Sequence, residues 1–339
     1  MSAAAPLTDR FARPLRDLRI SVTDRCNFRC RYCMPMEVFG PGFKFLPRAE
    51  LLSFGEIARL VALFAAQGVQ KVRLTGGEPL LRQGLPELVE LIAATEGISD
   101  IALTTNGALL AARAEALAAA GLTRVTVSLD ALDDETFAAV NGVNVKVERV
   151  LAGIEAAVAA GLEPVKVNMV VKRGVNDHAI LPMARYFRER GLTLRFIEYM
   201  DVGNSNHWQM DEVLASAEIV ELLHSHWPLE PLTPAYPGEV AERYRYLDGS
   251  GEVGLISAVT QPFCGACTRA RISADGQLYT CLFSARGHDL RSQLRAGHSD
   301  AEISASLSAI WSSRGDRYSE RRSPAGSAEP KAEMFYIGG

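Results

Sequence analysis

The chain has 339 residues, 48% hydrophobic and 22% charged, which excludes a largely disordered or collagen-like polymer and suits one large domain or two to three ordinary ones. Lysine and arginine (36) against aspartate and glutamate (40) leave a net charge of −4, so no broad grip on nucleic acid or anionic membrane is expected, and any anionic ligand needs a local basic cluster. No apolar run nears the roughly 18 residues of a spanning helix, and Met1 to Arg10 lacks a basic stretch followed by an apolar one, so a cytoplasmic address is expected.

In chain order, short apolar or β-branched runs predict strands at Leu18–Thr23, Lys71–Leu74, Ile101–Thr105, Val125–Leu129, Val165–Val171 and Leu194–Ile197, with helical stretches between them. Ser53-Phe54-Gly55-Glu56 is a capping box that opens one helix, which Gly68 closes; Gly121, Gly161 and Gly191 close later ones. The alanine-rich stretch Ala108–Ala120 predicts one more wall helix. Six β/α units predict an α/β fold with a parallel sheet, open or curled into an incomplete (β/α)6 barrel of the TIM type. The rhythm stops near Met200. Four prolines between Pro228 and Pro237 follow, then hairpins at Asp248-Gly249 and Asp275-Gly276. The expected division is a barrel over 1–203, a C-terminal region over 204–311, and a polar tail over 312–339 whose charge, Pro324 and Gly326 predict mobility.

The six cysteines form two tight groups, a pattern that in a reducing compartment points to metal or redox chemistry rather than disulfides. Cys26-x3-Cys30-x2-Cys33 follows the first strand. Structural zinc closes with four ligands, whereas three thiolates leave one iron of a [4Fe–4S] cluster open to a substrate. The CxxxCxxC motif resembles that of the radical S-adenosylmethionine (SAM) superfamily. With it, Tyr32 matches the position beside adenine, and Thr75-Gly76-Gly77-Glu78-Pro79 resembles the glycine-rich loop whose backbone, at Gly77, approaches the SAM amino group. Ser128 and Met200, at or near strand ends, fall on the barrel rim where such a site is built, as does Thr104.

Cys264-x2-Cys267-x13-Cys281 is a second triad, suited to a second open [4Fe–4S] cluster or to a structural zinc completed by a histidine such as His288. Cys264-Gly265-Ala266-Cys267-Thr268-Arg269-Ala270-Arg271, Cys281-Leu282, the terminal Gly338-Gly339, Leu18–Cys26 and Phe196–Gly203 together resemble the GTP 3′,8-cyclases of molybdenum cofactor biosynthesis, over nearly the whole length. Cations interrupt apolar strands at Arg19, Lys71, Arg73, Lys166 and Arg195. Buried charges are costly unless paired or facing a ligand. Pairing with Glu78, Asp130 or Glu198 would explain them; collectively they suit a polyphosphate, held by side chains because no Walker-type loop occurs.

The resemblance implies a lyase with two [4Fe–4S] clusters and SAM. The first cluster would deliver an electron to SAM, and a 5′-deoxyadenosyl radical would take the ribose 3′ hydrogen of GTP before attack on guanine C8. It implies GTP contacts at Arg19, Arg73, Thr104, Lys166, Arg195, Arg269, Ala270 and Arg271, with the second cluster holding the purine and Gly338 and Gly339 entering the site. It implies an electron donor, a downstream cyclic pyranopterin monophosphate synthase, and a homodimer or monomer. A peptide-modifying radical SAM enzyme with an auxiliary cluster and a non-enzymatic iron–sulfur electron carrier are the alternatives. The former generally brings more cysteines; the latter needs no SAM loop.

Overall fold

Alternation along the strands sets the architecture. In β1 (Asp17–Ser21), β2 (Lys71–Thr75), β5 (Lys166–Val171) and β6 (Thr193–Glu198), the apolar residues Leu18, Ile20, Val72, Leu74, Val167, Met169, Leu194 and Phe196 are fully buried, while the intervening Arg19, Arg73, Asn168 and Arg195 are only partly so. Side chains two apart share a face, so one face of the sheet carries the apolar core and the other carries polar and cationic groups. The computed structural model describes residues 7–323 and 330–339.

With β3 (Asp100–Thr105) and β4 (Arg124–Ser128), the six expected strands run parallel in order β1 to β6, each within a residue or two of the expected bounds. The helices that cover the outer face are α1 (Phe54–Ala65), α2 (Leu85–Ala93), α3 (Ala114–Ala119), α4 (Asp134–Asn141), α5 (Val147–Ala159) and α6 (Ile180–Arg188). The Ser53–Glu56 capping box is formed in both directions at the start of α1. The helix expected over Ala108–Ala120 shrinks to α3. Gly107, at φ +77° and wedged between Val127 and Val150, starts a run of turns in which Leu110 N donates to Gly107 O (3.0 Å) and Arg113 N to Leu110 O (2.9 Å).

After β6 come α7 (Ser216–His226), β7 (Leu229–Pro231), β8 (Glu242–Tyr246) and β9 (Glu252–Ile256), then β10 (Arg269–Ile272), β11 (Gln277–Tyr279), β12 (His288–Asp289), α8 (Arg291–Arg295) and α9 (Asp300–Ser312). Both expected hairpins form, at 248–249 and 275–276, and each extends the barrel sheet rather than making another. β9 joins β6 in parallel and β10 joins β1 in parallel, giving the order β12-β11-β10-β1-β2-β3-β4-β5-β6-β9-β8-β7. Thus eight parallel strands surround the polar face, and the second cysteine triad arrives beside the first through β10.

The expected mobility of the tail does not hold for its described residues. Arg314 and Lys331 are buried, Tyr318–Arg321 forms a short 3-10 helix, and α10 (Met334–Ile337) buries Phe335 and Ile337. The composition misleads because the charges are paired: Arg314 with Asp9 (3.5 Å) and Asp316 (3.3 Å), Lys331 with Asp201 (2.6 Å). Pro324 and Gly326, on which that expectation also rested, lie outside the described residues.

Candidate active site

The polar face encloses a cavity of about 730 Å³ whose wall includes all six cysteines, the inward cations of β1, β2, β5, β6 and β10, and Gly339. At its rim, Gly77 N donates to Thr23 O (2.8 Å) and Glu78 N to Arg25 O (2.8 Å), so the glycine loop leans on the base of the first cysteine loop. A Cβ on Gly77 would collide with the Arg25 carbonyl, and Gly76 sits at φ +153° with Thr23 O 2.5 Å from where its Cβ would be. Only a side-chain-free pair permits this approach. Glu78 fixes the loop from beneath, accepting from Leu80 N (2.9 Å), Thr105 Oγ1 (2.7 Å) and Asn106 N (2.8 Å); burial nevertheless lifts its carboxyl to about 7. Tyr32 lines the cavity and donates to Asp130 (3.0 Å), whose other oxygen accepts from Val170 N (2.8 Å).

Burial, then the Glu78 charge, pushes the Cys26 thiol up to about 12, and burial, then Cys26, lifts Cys30 and Cys33 as well. Such thiols are inert until a metal displaces their protons. The second triad differs. Burial would raise Cys267, but the Arg269 and Arg314 cations outweigh it and draw the thiol down to about 6; Arg314 Nη2 lies 3.2 Å and Arg269 Nη2 3.4 Å from its sulfur. Cys281 is held at about 11, chiefly by burial. Among the described residues, neither triad, with or without His288, is drawn together around a single ion. Three thiolates in each triad are the donor set that would leave one iron of a [4Fe–4S] cluster open.

Register aligns the cations. Arg19 stands beside Arg73 on one side and Arg271 on the other, and Arg195 lies next to Asn168. Gly254, opposite Arg195, makes room: a Cβ there would lie 2.9 Å from Arg195 Cγ. Arg73 donates to Thr104 (3.0 Å) and Thr126 (3.2 Å), and Arg195 to Asn168 (2.9 Å) and Thr126 (3.2 Å). The carboxylates that could have neutralised them are engaged elsewhere: Glu78 and Asp130 as above, Glu198 with Ser216 N, Val259 N and Thr260. Among the described residues, Arg19, Arg73, Lys166 and Arg195 have no carboxylate partner, whereas Lys71 lies between Asp17 (3.6 Å) and Asp100 (3.8 Å). Burial, then neighbouring cations, depresses Arg19 to about 9, Arg73 to about 10 and Lys166 to about 8; burial likewise brings Arg195 to about 10. A polyanion in this space would relieve that repulsion.

Arg271 donates to the Gly338 carbonyl, and α10 packs Phe335 on Met34 and Phe39 of the first cysteine loop (ring centroids 4.8 Å apart for Phe39 and Phe335), so the tail reaches both halves of the site. Of the expected residues, Ser128, Met200, Thr104, Lys166 and Gly77 line the cavity. Alternation in β10 turns the Ala270 methyl into the core, away from Arg269 and Arg271, which leaves its backbone as the part that could meet a ligand. Sequence reasoning missed Arg124, Asn168, Thr126 and Arg314. The first three carry the same signal as Arg73, a polar residue alternating with apolar neighbours; Arg314 carries none, since its partner is 47 positions away.

Residues 20–187 match the family model of the Radical SAM superfamily, and residues 192–320 match that of Molybdenum Cofactor Synthesis C. A protein of Acidothermus cellulolyticus named GTP 3′,8-cyclase is 54% identical, covering 98% of this chain and 99% of its own length. One of Xanthomonas campestris pv. campestris with the same name is 52% identical, covering 99% and 98%. The crystal structure of Streptococcus suis SuiB bound to S-adenosylmethionine shares the fold, with a TM-score of 0.58 over 79% of this chain and 60% of that one at 15% identity.

Proposed function

Since the chain belongs to the GTP 3′,8-cyclase family within the radical SAM superfamily, we propose that it is the lyase that converts GTP to (8S)-3′,8-cyclo-7,8-dihydroguanosine 5′-triphosphate, the first step of molybdenum cofactor biosynthesis. The observation that carries the reading is one cavity walled at once by two cysteine triads and by strand cations without carboxylate partners.

Cys26, Cys30 and Cys33 would hold the first [4Fe–4S] cluster, with Tyr32, Gly77, Ser128 and Met200 around SAM; Cys264, Cys267 and Cys281 would hold a second. When bound, these groups supply one-electron chemistry that no side chain here can perform. The chain's own work is placement. Arg19, Arg73, Lys166 and Arg195 would take the triphosphate, with Thr104 fixing Arg73, and the second triad with Arg269 and Arg271 would take the base side. That arrangement would set the ribose between the two triads and make the intramolecular closure a matter of orientation. Gly338 at Arg271 and Phe335 over the first cysteine loop would keep water and competing hydrogen donors out. In this scheme residues 1–203 form the radical SAM core, which also brings Arg19, Arg73, Lys166 and Arg195, 204–311 the region that would hold the second cluster, and the described part of 312–339 the cover. A cytoplasmic electron donor and a cyclic pyranopterin monophosphate synthase would be its working partners, with the chain a monomer or homodimer; no helix of the described residues is long and apolar enough to cross a membrane.

Anaerobically reconstituted protein should release 5′-deoxyadenosine from SAM and, with GTP, form the cyclised triphosphate, followed by mass spectrometry. Release that ignores GTP, with no cyclised nucleotide, would overturn the reading.

A further inference from the structure

Asp201 follows Met200 just beyond β6 and is buried. One carboxylate oxygen accepts from Arg322 Nε (2.7 Å); the other accepts from Lys331 Nζ (2.6 Å) and from the Tyr318 hydroxyl, and Lys331 Nζ also donates to the Asp201 carbonyl (2.7 Å). All three partners come from the last 22 positions of the chain. Phe283, two residues past Cys281, stacks on Tyr318 with centroids 4.4 Å apart, and Lys331 Nζ sits over both rings at 5.4 and 4.7 Å.

The loop after Asp201 continues the attachment. Asn204 Nδ2 donates to Lys331 O (2.6 Å), and the Glu333 carboxylate accepts from Asn204 N (3.1 Å) and Ser205 Oγ (2.9 Å). Gly203, at φ +65°, lies so close to Glu333 that a Cβ would collide with its carboxylate. Glu333 is the residue before α10, whose far end places Gly338 at Arg271. Two cations share one buried carboxylate, so removing its charge leaves both without compensation in a dry setting, and their segment must move out to rehydrate them.

We propose that Asp201 is a positioning residue: it latches the returning C-terminal segment, so that α10 covers the first cysteine loop and Gly338 meets Arg271, although Asp201 itself touches neither. Its effect on product formation rests on the function proposed above; its effect on the segment does not.

The test uses the anaerobic reconstituted full chain, with two readouts. In Asp201→Asn, amide hydrogen exchange across Glu333–Ile337 should quicken about tenfold to a hundredfold, the scale set by lost charge-assisted hydrogen bonds. Cyclised product per 5′-deoxyadenosine released should fall in parallel. Lys331→Met removes the latch from the tail side and should act in the same direction, while Lys331→Arg should restore both readouts; this pair decides the matter if Asp201→Asn does not fold. Unchanged exchange in the folded variants overturns the latch, and faster exchange with unchanged coupling overturns the positioning role. A wild-type chain that makes no cyclised product, yet loosens on Asp201→Asn, would keep the latch and refute the functional reading instead.

Discussion

The two cysteine triads have the same number of thiols, share a cavity and differ in what surrounds them. The first lies among apolar and acidic neighbours: Phe28, Phe39 and Phe335 pack near it, Glu78 and Asp130 stand behind it, Arg29 donates to the Cys26 carbonyl (2.8 Å) rather than to a cysteine sulfur, and its thiols are all raised. The second is ringed by Arg269, Arg314 and, through a bond from Nη1 to the Cys264 carbonyl (2.8 Å), Arg13. Buried thiols with no cation at the sulfur disfavour extra negative charge, which would suit a cluster that gives electrons away. A cation-rich setting favours retained negative charge and an anionic ligand alongside. On the function proposed above, the same ligand set would thereby serve two tasks, one donating and one holding.

Replacing the triads one at a time should divide these tasks most sharply. Alanine at Cys26, Cys30 and Cys33 should abolish 5′-deoxyadenosine formation, whereas alanine at Cys264, Cys267 and Cys281 should leave uncoupled SAM cleavage and stop cyclisation; each variant should lose about half of the iron and labile sulfide. Equal loss of SAM cleavage in both would erase the contrast. Next in size, Gly77→Ala forces a methyl against the Arg25 carbonyl. Most SAM cleavage should be lost while GTP binding, measured by calorimetry, persists.

On the cationic side, Arg271→Ala should weaken GTP binding about tenfold to a hundredfold, since a charge-assisted contact is worth roughly 1.5–3 kcal/mol. SAM binding should be unaltered in the same titration; a reversed pattern would assign Arg271 to the other half. The smallest effect concerns pH. Lys71 and Lys166 are each depressed to about 8, first by burial and then by nearby arginines, so both lose charge as pH rises through that value, below the ordinary lysine range. GTP affinity should therefore fall a few-fold between about pH 7 and pH 9, and Lys166→Met should flatten the profile. An affinity that rises with pH would contradict the sign.

Much of this was legible in the sequence where local pattern sufficed. Strand cations two apart announced a polar face, the Ser53–Glu56 box announced α1, and cysteine spacing announced both triads. The failures share a cause. Ala108–Ala120 has a helix-forming composition, but packing of Gly107 against Val127 and Val150, residues distant in sequence, takes its first half for turns. The tail reads as solvated because its charges are visible and their partners Asp9 and Asp201 are not. In each case the deciding contact joins positions that no local window contains.

The sheet that encloses the cavity does not close on itself among the described residues, and this leaves it two free margins. An open margin is a template on which another extended chain could grow. Here the margins are β7, three residues ending in Pro231, and β12, two exposed residues, His288 and Asp289. Pro231 offers no N–H, and a two-residue strand offers too few groups to recruit a partner. The hairpins that carry the sheet past its eight parallel strands therefore also blunt it, protecting a wide, half-open enzyme from edge-to-edge aggregation.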